Sequence, residues 1–140
     1  MDREEKRKII LDNYNDDINR KEISSSDYIK VNSRNFSCID NIDLYIKFNN
    51  NIIDDIKFNG EACVIAISST SLLIKYLIGK SVEEALNIIS NYENMIEGLS
   101  YDQSIIKDLI AFDDIGKQPS RKICATLASR KIKELLEKSV

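Results

Sequence analysis

The sequence predicts an α+β fold in which helices pack on a small three-stranded antiparallel sheet. Two observations lead to this prediction. Short runs of alternating apolar and polar residues, typical of strands with one buried face, are confined to the first half of the chain. From Ser68 onward, apolar residues recur at the spacing of amphipathic helices. With 43% apolar and 31% charged residues, the 140-residue chain is expected to form one domain, residues 1–140.

The N-terminal part of the chain is expected to form a helix, a loop and an edge strand. Residues 2–14 place a few apolar side chains along one edge of a highly charged segment, which indicates a helix with a narrow apolar face. Residues 15–34 are polar and lack periodicity except in the short segment 28–31. They therefore predict a loop that leads into a first edge strand.

Three consecutive apolar runs in the middle of the chain predict an antiparallel meander. Residues 42–48 alternate between apolar and polar, and the asparagines at 49–51 predict a turn. Residues 52–58 and 62–67 then form the next two predicted strands. In this arrangement Cys63 lies at the beginning of a strand.

The first two helices of the second half have recognisable ends. Ser68 and Ser69 can cap the first of them, and Gly79 can end it because glycine adopts the left-handed conformation at low cost. Residues 81–84 have the pattern of a capping box, which predicts the start of a second helix that extends to Gly98.

Two further helices are predicted in the C-terminal part of the chain. Asp102 can cap a short helix rich in isoleucine and leucine. The only proline, Pro119, precedes Ser120 at the start of a final helix that extends past Leu135. Cys124 then lies in or near the first turn of that final helix.

Composition and charge exclude several classes of protein. A formal net charge of −3 provides no overall basic field of the kind that nucleic-acid binding uses, so no nucleic-acid partner is expected. Residues 1–8 are charged and lack the apolar core of a signal peptide, and the longest apolar run, residues 62–67, is far too short to span a membrane. We therefore expect a cytoplasmic protein without a membrane partner.

The chain contains three cysteines and no histidine. The cysteines are widely spaced and form no Cys-x-x-Cys pair, which argues against a disulfide framework. In a reducing compartment, metal binding, catalysis and simple burial are the alternatives for them. Because histidine is missing, any metal site must use Cys, Asp or Glu as ligands.

Cys38 and Asp40 are separated by one residue in a polar loop just before an alternating strand. A sulfur and an oxygen at this spacing can turn toward one ion only if the backbone is extended or looped, which this position allows. The alternative is a loop cysteine beside a solvated carboxylate, because a single Cys-x-Asp pair often arises by chance. The pair alone does not decide between these interpretations.

Cys63 and Cys124 also lie at predicted ends of elements, and such ends can converge at one edge of a sheet. A cysteine near a helix N-terminus is held more readily as a thiolate. Both cysteines, however, are surrounded by apolar residues, where a free cysteine is often a small buried hydrophobe. Arg121, one helical turn before Cys124, is either a solvated cation or a group that favours the thiolate. Periodicity leaves these alternatives open.

A series of short motifs extends over most of the chain. They are Ser37-Cys38-Ile39-Asp40, Ile53-x-Asp55-x-Lys57-Phe58-x-Gly60-Glu61-x-Cys63-x-Ile65, Ser69-x-Ser71, Gly79-Lys80 and Arg121-x-x-Cys124-Ala125-Thr126-Leu127. In this order they resemble the SufU branch of the NifU/IscU iron-sulfur cluster assembly family, which implies a SufU/IscU-like fold. Two features favour the SufU branch. Ile123 stands where IscU-type scaffolds carry a His, and residues 95–115 resemble an insertion typical of SufU.

The resemblance implies a zinc-dependent sulfurtransferase. It implies a tetrahedral Zn²⁺ site formed by Cys38, Asp40, Cys63 and Cys124, with Arg121 assisting sulfur transfer. Cys38 would accept persulfide sulfur from a cysteine desulfurase of the SufS type, activate that enzyme, and relay the sulfur to a downstream Suf cluster-assembly scaffold. The protein would be a monomer or a weak homodimer.

Three positions depart from the usual pattern of the family. Phe36 replaces a Pro, and Ile39 and Ala62 replace glycines, so the loop geometry differs while the proposed ligands are kept. Two alternatives therefore accompany the resemblance. One is an iron-sulfur cluster scaffold that binds a nascent cluster through the three cysteines and Asp40, and the other is a degenerate metal-binding interaction module. The residues themselves also allow a metal-free module whose cysteines are buried in the core.

Overall fold

A computed structural model describes residues 1–138 of the chain; residues 139–140 of the predicted domain lie outside the described residues. The strands are β1 (Ile29–Arg34), β2 (Asn41–Asn49) and β3 (Ile52–Glu61). The helices are α1 (Arg3–Asn15), α2 (Val64–Leu77), α3 (Val82–Ile96), α4 (Gln103–Ile106), a 3₁₀ helix (Lys107–Lys117), α5 (Pro119–Ala125) and α6 (Leu127–Lys138). The three antiparallel strands and six α-helices in residues 1–138 confirm the predicted α+β fold.

The sheet has the order β1-β2-β3 with antiparallel neighbours throughout. Leu44 in the central strand β2 pairs with Val31 on one side and with Phe58 on the other. Leu44 and its alternate neighbours Ile42 and Ile46 are buried, which confirms the strand predicted from period-two alternation. One face of the sheet therefore packs against the helices and forms part of the core.

The prediction of a strand at residues 62–67 is wrong, because α2 begins at Val64. The third strand of the sheet is instead β1, an extension of the predicted edge strand. Cys63 has extended backbone angles and acts as the N-cap of α2, where its side chain accepts the N–H of Ala66. Helix α2 is buried on nearly every side, so its first residues continue the apolar run 62–67 without the period of an amphipathic helix. Such a run does not distinguish a buried strand from a buried helix.

Helix α2 packs against α1, α5 and α6 and occupies the centre of the molecule. Ser68 and Ser69, which were predicted to cap it, lie in its interior. Their hydroxyls donate to the carbonyl groups of Val64 (2.6 Å) and Ala66 (3.2 Å), one turn earlier in the helix. These bonds satisfy the buried hydroxyls within the helix itself, which explains how serines occupy the core.

Several predicted helix ends are confirmed. Ser81 and Glu84 form a reciprocal capping box at the start of α3. Gly79 (φ 86°) and Gly98 (φ 76°) adopt the left-handed conformation after α2 and α3. Asp102 caps α4, but the chain then continues as the 3₁₀ helix instead of a longer α-helix.

The predicted final helix is interrupted at Thr126 and forms α5 and α6. Carbonyl groups next to this break accept hydrogen bonds from distant residues. The buried hydroxyl of Tyr92 donates to the carbonyl of Ala125 (2.6 Å), and the hydroxyl of Ser33 donates to the carbonyl of Leu127 (2.6 Å). The break and its position therefore depend on contacts with α3 and β1, which local sequence does not show. None of the helices in residues 1–138 combines the length and the hydrophobicity that a membrane span requires.

Gly60→Ala is expected to reduce the free energy of unfolding by about 3 kcal/mol. Gly60 has φ 136°, and a Cβ atom at this position would collide with the carbonyl oxygen of Asn41 and lie 2.9 Å from the Cα atom of Ile42. Gly79→Ala is the matched control, because its φ is also positive (86°) but no atom lies within 4 Å of the added Cβ. We expect a loss of about 1 kcal/mol there. Urea unfolding of both metal-free variants measures the difference, and equal losses would show that the approach of β3 to β2 tolerates a side chain.

Candidate metal centre

Residues 35–40 form a short loop between β1 and β2 that folds back on itself. The backbone N–H of Asn35 donates to the carbonyl of Asp40 (2.9 Å), and the N–H of Cys38 donates to the carbonyl of Asn35 (3.1 Å). The side-chain oxygen of Asn35 accepts the N–H of Ser37 (3.1 Å). These bonds hold a loop that exposes Cys38 to solvent and turns Asp40 into the protein.

Asp40 is fully buried, with 0% exposure. Its Oδ1 accepts the backbone N–H of Cys63 at 2.8 Å and lies 3.6 Å from Sγ of Cys38, while its Oδ2 lies 3.7 Å from Sγ of Cys63. No Lys or Arg in residues 1–138 forms an ion pair with this carboxylate. A buried carboxylate without a counter-charge is costly, so the position favours binding of a cation.

Neither Cys63 nor Cys124 lies in the element position that the sequence predicted for it. Cys63 caps the N-terminus of α2, where its Sγ lies 3.5 Å from the backbone nitrogen of Ala66. Cys124 is buried near the C-terminal end of α5, so the helix N-terminus predicted to favour its thiolate lies elsewhere. Burial raises the pKa of the Cys124 thiol, and the neighbouring Asp40 and Cys63 raise it further. A divalent cation would reverse this effect, because coordination deprotonates a thiol.

Three of the four predicted ligands form one compact group. Sγ of Cys38, a carboxylate oxygen of Asp40 and Sγ of Cys124 all lie within 4.8 Å of one another. Cys63 lies outside this group of three but is close to it, because its Sγ is 3.7 Å from Asp40. Three thiols and one carboxylate are ligands that suit Zn²⁺. The buried charge and the donor set both fit a divalent metal.

A cavity of about 440 Å³ opens onto these residues. It is lined by Asn35, Ser37, Cys38, Cys63, Ser120, Arg121, Ile123 and Cys124. Arg121 is exposed, and within residues 1–138 its guanidinium forms no ion pair. Phe36 is 87% exposed and Ile39 is 67% exposed in the Cys38 loop. A partner that approaches Cys38 would therefore meet exposed apolar side chains and an unpaired cation.

Asn35 has a structural role that sequence reasoning did not assign. Its side-chain Nδ2 donates to Sγ of Cys124 over 3.9 Å, and this bond connects the loop to α5. The available signal was the type of residue, because asparagine at the start of a turn often bonds to the backbone two residues later. The sequence contains no signal for the bond to Cys124, which lies 89 residues further along the chain.

A comparison with known families identifies the architecture. Residues 5–138 match the family model described as the NifU-like N terminal domain. The chain belongs to this family. The match covers nearly the whole NifU-like chain, including the Cys38 loop, Cys63 and Cys124.

Two curated relatives of this NifU-like protein have different names. It is 38% identical to the iron-sulfur cluster assembly scaffold protein IscU of Thermotoga maritima over 105 residues, which is 75% of this chain and 74% of that protein. It is 36% identical to the zinc-dependent sulfurtransferase SufU of Bacillus subtilis over 123 residues, which is 87% of this chain and 82% of that protein. The family resemblance to SufU and IscU is thus confirmed.

A solved structure supports the same conclusion. The fold is similar to the crystal structure of FiSufU, a proposed iron-sulfur cluster assembly scaffold protein for the SUF system from Fervidobacterium islandicum. The TM-score is 0.86 at 31% identity, with 91% of this chain and 93% of that chain covered. The NifU-like protein is therefore of the SufU/IscU type, the group that includes iron-sulfur cluster assembly proteins.

Proposed function

We propose that this NifU-like protein is a zinc-dependent sulfurtransferase of iron-sulfur cluster assembly that accepts sulfur on Cys38. The observation that carries the proposal is the exposed Cys38 sulfur, whose Sγ lies within 4.8 Å of ligand atoms of the buried residues Asp40 and Cys124. The site therefore combines one solvent-accessible thiol with two buried side chains that can act as metal ligands. The relationship to the zinc-dependent sulfurtransferase SufU of Bacillus subtilis supports the proposal.

The proposed zinc ligands are Cys38, Asp40, Cys63 and Cys124. When bound, Zn²⁺ would stabilise the thiolate forms of the cysteines at neutral pH. It would also compensate the buried charge of Asp40. Asp40 and Cys124 are buried and Cys63 is half-buried, so these three are suited to keep the ion while Cys38, on an exposed loop, changes partner.

The proposed reaction is transfer of one sulfur atom from the persulfide of a cysteine desulfurase of the SufS type. The Cys38 thiolate attacks the outer sulfur of the donor, and a new sulfur-sulfur bond forms on Cys38. The sulfur-sulfur bond of the donor breaks, and its electron pair leaves on the desulfurase cysteine as a thiolate. The exchange is balanced without an added oxidant or reductant. The Cys38 persulfide then supplies sulfur to a downstream Suf cluster-assembly scaffold.

Arg121 is proposed to assist this transfer. It lines the same cavity as Cys38 and is exposed, and its charge has no carboxylate partner within residues 1–138. A guanidinium at this position can stabilise negative charge on the reacting sulfurs without being neutralised by the protein.

Assembly of an iron-sulfur cluster is the second candidate function. The observation that favours it is the convergence of three cysteines and Asp40, together with the similarity to the IscU scaffold of Thermotoga maritima. Thiolates are the usual ligands of iron-sulfur clusters. A degenerate module that binds metal without relaying sulfur is the further alternative, because Phe36 and Ile39 change the loop.

The experiment combines elemental analysis with a sulfur-transfer assay on the purified protein. We expect about one zinc ion per chain, as a four-ligand site requires. We also expect faster turnover of a SufS-type desulfurase and a Cys38 peptide heavier by one sulfur atom. Bound zinc without sulfur acceptance would reject the relay in favour of an interaction module. A stable brown species after anaerobic reconstitution, transferable to an apo-ferredoxin, would favour the scaffold.

A further inference from the structure

We infer that Asn35 is a positioning residue that joins the Cys38 loop to Cys124 and keeps Asp40 and Cys124 together when Cys38 leaves the metal. This inference rests on the proposed zinc site. The residue is 5% exposed, lies at the base of the loop and contributes to the lining of the cavity.

All four polar groups of Asn35 are used within the site. Its backbone N–H donates to the carbonyl of Asp40 (2.9 Å), and its backbone carbonyl accepts the N–H of Cys38 (3.1 Å). Its Oδ1 accepts the N–H of Ser37 (3.1 Å). Its Nδ2 donates to Sγ of Cys124 (3.9 Å). One residue therefore contacts the segments that carry three of the four proposed ligands.

The bond to Ser37 fixes the orientation of the Asn35 amide. Because a backbone N–H can only donate, the atom that faces Ser37 must be the amide oxygen. The amide nitrogen then has to face Cys124. The two side-chain bonds are thus coupled: the turn at Ser37 directs an N–H group toward the sulfur.

A donated N–H has two consequences for a sulfur ligand. It stabilises negative charge on the sulfur, and it restricts the direction in which the sulfur can move. Groups that hold a ligand in this way typically change metal affinity by about 10-fold to 100-fold when they are removed. Asn35 is therefore expected to affect zinc retention although it is not itself a ligand.

The same geometry predicts when Asn35 matters most. Its bonds to Asp40 and Cys124 do not involve the Cys38 sulfur, so they can persist after Cys38 has turned toward a sulfur donor. With four ligands, loss of one hydrogen bond is partly offset by the remaining coordination. With three ligands, the relative position of Asp40 and Cys124 depends more strongly on this link.

Asn35→Asp tests the inference, because the aspartate keeps an oxygen for the N–H of Ser37 but cannot donate to Cys124. We expect zinc transfer to a chromophoric chelator to become about 10-fold faster. The acceleration should be larger in the Cys38→Ala background. In the cobalt-substituted protein, the thiolate-to-cobalt charge-transfer absorption should move to lower energy, because the sulfur loses a hydrogen-bond donor. Asn35→Ser makes the same test without an added charge, because its hydroxyl is one bond nearer the backbone than the amide nitrogen, which is already 3.9 Å from the Cys124 sulfur. It replaces Asn35→Asp if that variant does not fold.

Asn32→Asp is the matched control on the same side of the molecule. The amide nitrogen of Asn32 donates to Asn41, Ile42 and Asp43, and none of these is a proposed ligand. The control should lower stability but leave the cobalt absorption and the zinc release rate unchanged.

The outcomes separate this inference from the proposed function. A wild-type protein that binds zinc and accepts sulfur, with Asn35 variants that release zinc at the wild-type rate or more slowly, would overturn the role of Asn35 alone. Equal spectral shifts in the Asn35 and Asn32 variants would also overturn it. A wild-type protein that retains no zinc and gives no thiolate-to-cobalt absorption would instead reject the proposed metal site.

Discussion

Cys38→Ala is expected to abolish sulfur acceptance and to reduce desulfurase turnover to the rate of the desulfurase alone. Cys38 is the exposed cysteine of the three, whereas Cys63 is half-buried and Cys124 is buried. A persulfide on another protein can therefore reach the sulfur of Cys38 most directly. Incubation with a SufS-type desulfurase and cysteine, followed by peptide mass spectrometry, measures the sulfur on each cysteine.

The fold should tolerate this substitution, because Cys38 is exposed and contributes little to the core. We expect the free energy of unfolding of the metal-free protein to change by less than about 0.5 kcal/mol. Ser37→Ala is the matched control: it alters the neighbouring exposed residue without removing a thiol, and it should accept sulfur normally. Persulfide found on Cys63 or Cys124 in the Cys38→Ala protein would contradict the assignment of Cys38 as the acceptor.

Asp40→Asn is expected to have opposite effects on the metal-free and the zinc-bound protein. Without metal, the carboxylate is fully buried and has no cationic partner within residues 1–138. The neutral amide can still accept the N–H of Cys63 through its oxygen, so the substitution should stabilise this form by about 1–3 kcal/mol. With zinc, loss of an anionic ligand should weaken binding by about 100-fold or more.

Thermal unfolding with and without zinc measures both effects of Asp40→Asn. Zinc that binds only the folded state raises the unfolding temperature, and this increase should be much smaller in the variant. Asp43→Asn is the matched control, because the Asp43 carboxylate on β2 pairs with Lys30 and accepts a hydrogen bond from Asn32, and neither partner is a proposed metal ligand. Asp43→Asn should neither stabilise the metal-free protein nor reduce the increase in unfolding temperature that zinc causes. A lower stability of the metal-free Asp40→Asn protein would indicate that Asp40 is a structural residue.

Local patterns in the sequence were sufficient for much of the fold. The alternation at residues 42–48 predicts β2, and the capping box at Ser81 predicts the start of α3, because both depend on residues only a few positions apart. The error at residues 62–67 has a physical cause. A helix buried on nearly all sides has no broad polar face, so its apolar start resembles a core strand until the N-cap at Cys63 is seen.

The candidate site was predictable in its chemistry but not in its geometry. The types of ligand followed from three cysteines, nearby carboxylates and the missing histidine. The position of Cys124 on its helix did not follow, because the break at Thr126 is supported by Tyr92 and Ser33 from other parts of the chain. The bond from Asn35 to Cys124 was unpredictable for the same reason.

Sequence alone thus determined the strand and cap signals, the donor atoms available to a metal and the resemblance to the family, since these depend on the identity and short-range order of residues. The tertiary structure decided that Asp40 is buried with no counter-charge among residues 1–138, that Cys124 lies within reach of Cys38, and that Asn35 connects their segments. Burial and the convergence of distant residues depend on how the helices pack against the sheet. This packing results from many contacts between residues that are far apart in the sequence, so no single segment of the sequence predicts it.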